Sequence, residues 1–122
     1  LGQIVFADAR ERQWLNDLIH PQVRRNFERG LHEHEDVQTV VLMIPLLFEA
    51  GLTDLCSEIW LVDCDEEQQL SRLMERNALT REAAQARIAA QWPLSRKREL
   101  ADVLIDNRGT EHDLKEQLQA LE

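Results

Sequence analysis

Arg72 and Arg76 are the residues whose type and spacing most directly suggest chemistry. They lie four positions apart, so a helix would place both guanidinium groups on one face, just after the apolar run Ile59–Val62. Guanidinium groups match phosphate oxygens through paired hydrogen bonds, and phosphoryl transfer needs positive charge at its transition state. The pair therefore indicates a site that handles transferring phosphate, yet the chain contains no glycine-rich phosphate loop.

An ordinary surface role for the same two arginines is also open. In that interpretation Arg72 pairs with Glu75 or Glu82, and Arg76 only solvates a helix face. Spacing alone does not separate the two interpretations, so the elements that position the arginines must be considered.

Length and charge limit the classes of function. The 122 residues make one domain at most, or a piece of a larger one, and the net charge of −9 disfavours binding to nucleic acid or to an anionic membrane. The longest apolar run is too short to span a bilayer, so we expect a cytoplasmic protein without membrane contact. Cys56 and Cys64 lack metal-binding spacing and are expected to be half-buried thiols, and no metal site is predicted.

The first part of the chain predicts helices. Asp8 with Glu11 forms a capping-box pattern before a helix from about Ala9 to Ile19, and Pro21 suits the first turn of a second helix. We therefore expect a helix pair over about residues 9–34, bent at His20-Pro21.

Three apolar segments predict strands separated by helices. They are Val37–Ile44, Ile59–Asp63 and Ala101–Asp106, and Asp65, Thr80 and Thr110 are expected to cap the intervening and final helices. Glycine is expected to end a short helical turn at Leu46–Gly51. Strands alternating with helices indicate an α/β fold with a parallel sheet.

Short stretches spread in order over nearly the whole chain carry a resemblance to one family. They are Leu15-Asn16 with His20-Pro21, Ile44-Pro45-Leu46-Leu47-Phe48-Glu49, Gln69-Leu70-Ser71-Arg72 with Arg76, Arg87-Ile88-Ala89-Ala90-Gln91, Lys97, and Ala101-Asp102 to Asp106-Asn107 with Gly109. Each is weak by itself, but the ordered set strongly resembles the dephospho-CoA kinase family.

The resemblance implies a fold and an activity. The fold is P-loop kinase-like, an α/β three-layer parallel sheet that is incomplete here because the first two strands and the P-loop are absent. In such a sheet the first strand lies between the third and the fourth, so its absence leaves strand edges unpaired. Residues 1–122 would be the carboxyl-terminal portion of a single domain, with the helix pair at about 9–34 and a core with a lid segment at about 37–122.

The implied reaction is transfer of the γ-phosphate of ATP, with Mg²⁺, to the 3′-hydroxyl of dephospho-CoA. The protein ligand of Mg²⁺ is expected in the absent amino-terminal portion, as are the phosphate loop and an aspartate that acts as base. This chain alone is therefore expected to be inactive. The alternative is a non-catalytic module of the same ancestry that binds a nucleotide or a partner.

The resemblance also assigns roles to residues. The catalytic candidates are Arg72 and Arg76; the ATP-binding candidates are Asn107, Gly109, Arg87 and Lys97; and the substrate-binding candidates are His20 and Glu49. In the implied site, Asn107 and Gly109 form a floor under the adenine.

Plainer interpretations stay open for several of these residues. Asn107 and Gly109 also fit a simple turn, and Lys97 fits a solvated basic run. His20 would otherwise cap the bend before Pro21, and Glu49 would bond a neighbouring arginine.

Overall fold

The computed structural model describes Ile4 and residues 8–121. These residues form two compact units, the first ending at Ser57 and the second beginning at Glu58. The helices are α1 (Ala9–Glu33), α2 (Glu66–Asn77), α3 (Arg81–Ala89), α4 (Leu94–Leu100) and α5 (Glu111–Ala120), and the strands are β1 (Trp60–Asp63) and β2 (Val103–Asp106). No helix in this described part is both long and apolar enough to cross a membrane.

The first unit is built on α1, which is one continuous helix. Asp8 caps it by accepting a hydrogen bond from the N–H of Arg10 at 2.9 Å, as predicted. The prediction of two helices that meet in a bend at His20-Pro21 is wrong as to their number, because the chain stays helical through Pro21 and forms one helix. Proline removes only one backbone hydrogen bond and obstructs only the preceding turn, so the two flanking segments remain joined.

The predicted strand Val37–Ile44 is also wrong. This segment is irregular and largely exposed, with Val41 and Met43 exposing 80% and 85% of their surface. A strand requires a neighbour for its N–H and C=O groups, and no described residue pairs with this segment. High β-propensity without a partner therefore does not produce a strand here.

Hydrogen-bonded turns follow this segment and supply the small core of the first unit. The N–H of Ala50 donates to the carbonyl of Leu46 at 2.9 Å, and Gly51 adopts φ +67, as expected for a glycine that ends a helical turn. Leu52 is only 1% exposed. The turn thus buries apolar side chains even though the preceding segment does not.

The second unit contains a two-stranded parallel sheet, which confirms the two later predicted strands. Trp60 pairs with Val103, and the register continues to Asp63 opposite Asp106. Helix α4 packs against β1 and α5 against β2, while α2 packs against α3. The unit is therefore an α/β structure with an incomplete sheet.

Local capping sets the helix starts of this unit. The side chain of Asp65 accepts from the N–H of Gln68 at 2.9 Å, and that of Thr80 accepts from Ala83 at 3.2 Å. Thr110 and Asp113 form a reciprocal capping box at α5. All three predicted caps are confirmed, whereas α4 was predicted only as a basic segment.

We expect Ala78→Gly to raise the free energy of unfolding by about 0.5 to 1 kcal/mol. Ala78 ends α2 in the left-handed conformation, at φ 51 and ψ 47, which glycine adopts without steric cost. Urea denaturation measures the change. The same substitution at Ala86, inside α3, is the control and should lower stability; a loss at both positions would contradict the argument.

Candidate functional site

The carboxyl ends of β1 and β2 gather the charged residues of the second unit. The register places Asp63 opposite Asp106, and the N–H of Asn107 extends the ladder by donating to the carbonyl of Asp63 at 2.7 Å. Open α/β sheets place ligands at this edge. The candidate site is therefore the strand-end region and the β2–α5 loop, Asn107–Thr110.

Arg98 is bound to the end of β1. Its Nε lies 3.0 and 2.9 Å from the two carboxylate oxygens of Asp63, and its Nη2 donates to the carbonyl of Cys64 at 3.1 Å. The hydrogen bond to Asp63 raises the pKa of Arg98. The charge of Arg98 is thus already balanced within the protein.

Arg108 is bound in the same way to the end of β2. Its Nε and Nη2 donate to the two carboxylate oxygens of Asp106, each at 2.9 Å, and its backbone N–H donates to Oδ1 at 2.9 Å. These bonds lower the pKa of Asp106 to about 2. Arg108 is therefore paired with the carboxylate at the end of β2, as Arg98 is with the one at the end of β1.

A cleft of about 410 Å³ opens between these pairs. Asp63, Asp65 and Asp106 line it together with Arg98 and Arg108, so acidic groups outnumber basic ones. Cys64 also lines it, but burial raises the pKa of its thiol, which disfavours a nucleophilic thiolate. The cleft itself is therefore a poor cradle for a polyphosphate.

Arg72 is the arginine that connects α2 to the β2–α5 loop. Its Nη1 donates to the carbonyl of Asn107 at 2.7 Å, rather than pairing with Glu75 or Glu82. Arg76 does not join this contact, because its Nε donates to its neighbour Asn77 at 3.3 Å. The structure thus brings together Arg72 and Asn107, but not Arg76.

Gly109 lies in the same loop for a steric reason that the structure makes plain. A Cβ at this position would collide with the carboxylate of Asp113, which accepts from the N–H of Thr110 at 2.9 Å in the capping box. A side chain at this position would therefore require the Asp113 carboxylate at the start of α5 to shift. This does not test whether the loop holds adenine.

The basic run of α4 is not merely solvated. Lys97 is only 7% exposed, Arg96 stacks over the ring of Trp92 at 3.6 Å, and Arg98 binds Asp63. The solvated interpretation of Lys97 is wrong, since an ammonium group in water would be exposed. Arg87 lies half-buried in the last turn of α3.

The two acceptor-side candidates belong to the first unit. His20 is half-buried inside α1, directly before Pro21. Glu49 is half-buried in the turn after Pro45. Their proposed contacts with substrate stay predictions.

No group of three or more potential metal-binding side chains occurs within residues 8–121 or at Ile4. Asp63 and Asp106 are bound by Arg98 and Arg108, so their oxygens are not arranged as an open set of Mg²⁺ ligands. The described residues do not fit a magnesium site.

Sequence reasoning named the strand ends but missed the side chains that hold them. Asp63 and Asp106 were recognisable as terminal residues of parallel strands, the usual place for site residues. The basic run that contains Arg98 was visible in the sequence, but its pairing with Asp63 was not, and neither was the contact of Gln117 with both backbone groups of Asp106, because these residues meet only through the fold.

Arg108→Gln should raise the pKa of Asp106 from about 2 towards its ordinary value of 3.8. A depressed carboxylate pKa contributes stability above the ordinary pKa, and this contribution is lost as pH falls through the folded value. The parent should therefore lose stability between these two pH values, and the variant should lose less.

Carbon-detected NMR of the Asp106 carboxyl group measures the titration. Arg81→Gln, which breaks an exposed pair with Glu67, is the matched control. An Asp106 titration that is the same in all three proteins would contradict the assigned cause.

Comparisons with known proteins agree with this architecture. A family model described as dephospho-CoA kinase matches residues 1–113. A dephospho-CoA kinase from Synechococcus sp. (strain CC9605) is 65% identical over 109 residues, covering 89% of this chain and 53% of the relative. One from Parasynechococcus marenigrum (strain WH8102) is 59% identical over 114 residues, covering 93% and 58%.

Two solved structures are similar along 98% of the chain. A crystal structure of a Thermus thermophilus protein has a TM-score of 0.76 at 36% identity, with 62% of that chain covered. A dephospho-CoA kinase from Campylobacter jejuni has a TM-score of 0.63 at 27% identity, with 60% covered. The chain spans about half the length of the curated relatives it matches. By the extent of the family match, the chain belongs to the dephospho-CoA kinase family.

Proposed function

We propose that this chain is the carboxyl-terminal portion of an enzyme that transfers the γ-phosphate of ATP to the 3′-hydroxyl of dephospho-CoA. Family membership supports the reaction, and coverage of 53% and 58% of two relatives supports the view that other parts of the enzyme lie outside this chain. The observation that carries the proposal is the bond from Arg72 to the carbonyl of Asn107.

That bond gives Arg72 a defined role in the proposed reaction. Arg98 and Arg108 are balanced by carboxylates, whereas the bond from Arg72 goes to a neutral carbonyl. A guanidinium has five N–H donors, so one bond to the loop leaves others for the oxygens of the transferring phosphoryl group. Arg72 would stabilise the charge of the transition state while the β2–α5 loop holds the base.

The other candidates keep more limited roles in this proposal. Arg76 adds charge on the same helix, and Arg87 and Lys97 contribute to the ATP side, Lys97 from a buried position on α4. His20 and Glu49 contribute to the acceptor side. Mg²⁺ would neutralise charge on the ATP phosphates, with protein ligands from outside this chain.

The 122-residue chain alone should show no turnover with ATP, Mg²⁺ and dephospho-CoA, because it contains no phosphate loop. Fusion to the amino-terminal portion of the Synechococcus sp. (strain CC9605) relative should produce activity. Product formation is followed by chromatography. Activity of the chain alone would refute the proposal that the phosphate loop must come from outside it. A folded but inactive fusion would favour a non-catalytic binding module.

In the active fusion, Arg72→Ala should lower kcat about 100-fold and change the KM for ATP much less. The reason is that the guanidinium meets the phosphoryl group chiefly in the transition state. Steady-state kinetics measure both constants. Arg81→Ala, an exposed arginine on α3, is the matched control, and equal kcat values in Arg72→Ala and parent would remove Arg72 from the mechanism.

A further inference from the structure

A glutamine on α5 holds the end of β2 as a neighbouring strand would. Oε1 of Gln117 accepts from the N–H of Asp106 at 2.8 Å, and Nε2 donates to the carbonyl of the same residue at 2.6 Å. The carboxamide thus satisfies both backbone groups of Asp106, in the manner of a peptide group in a sheet. This contact fixes the point at which the β2–α5 loop begins.

A second glutamine holds the middle of the loop from α2. Nε2 of Gln68 donates to the carbonyl of Arg108 at 2.9 Å, one helical turn before Arg72 binds Asn107. Oε1 of Gln68 is buried and has no hydrogen-bond partner among the described residues. The donor bond to the loop is thus the hydrogen bond that the described structure gives the carboxamide of Gln68.

Most polar backbone groups of the loop are therefore occupied by the protein itself. Asn107 uses its N–H and its carbonyl, Arg108 does the same, and the N–H of Thr110 binds Asp113. Within the described residues, the side-chain carboxamide of Asn107 and the N–H of Gly109 make no hydrogen bond. They are polar groups of this loop that remain available for a ligand.

We propose that Gln68 and Gln117 are positioning residues that hold the β2–α5 loop in the shape that receives the base of ATP. The inference rests on the proposed function, in which this loop is the base-binding element. Neither glutamine touches the nucleotide; each acts by fixing a backbone carbonyl or N–H from a different helix. Their loss should weaken ATP binding while leaving the chemical step largely unchanged.

The test uses the active fusion with Gln117→Ala and Gln68→Met, which retains the length of the side chain but removes the donor. Each variant should raise the KM for ATP about fivefold, as expected for loss of one or two neutral hydrogen bonds. The KM for dephospho-CoA and kcat should change less than about twofold, since the variants alter neither the acceptor nor the transferring phosphate. Gln119→Ala, on the exposed side of α5, is the matched control.

The result separates positioning from simple loss of stability. A partly unfolded preparation lowers kcat because fewer molecules are active, but it leaves KM unchanged. An unchanged KM for ATP in both variants overturns the inference, as does an equal rise in both KM values. An inactive parent fusion instead overturns the proposed function, so the two failures are distinguishable.

Discussion

The register between β1 and β2 is the constraint on which the candidate site depends. It sets Asp63 beside Asp106 and lets the N–H of Asn107 continue the ladder onto the carbonyl of Asp63. Because side chains alternate between the faces of a strand, a slip of one residue would move a terminal carboxylate to the opposite face. The cleft between the two strand ends and the start of the β2–α5 loop follow from this alignment.

The arginines of the second unit differ in whether a carboxylate balances their charge. Arg98 and Arg108 form ion pairs with the carboxylates at the strand ends, so their charges are balanced within the protein. Arg72 differs because its bond partner is a carbonyl, so its positive charge is not cancelled by that contact. Three arginines of one region thus differ in their partners, which are carboxylates for two of them and a neutral carbonyl for the third.

Local signals in the sequence predicted the parts of the fold that are decided locally. Asp65, Thr80 and Thr110 cap helices because their side chains reach N–H groups three residues away. The prediction of a strand at Val37–Ile44 was wrong because a strand needs a hydrogen-bonding partner, and a local sequence pattern does not show whether one is present. Helix α4, of seven residues, is too short for a clear apolar period, and Gln117 meets Asp106 only after α5 packs on β2.

The irregular segment around Val41 and Met43 has a consequence for the life of the chain in a cell. Apolar side chains that are 80% and 85% exposed resemble those of a partly unfolded protein, the form that chaperones and proteases survey. Exposed apolar side chains of this kind are the feature by which both recognise a polypeptide.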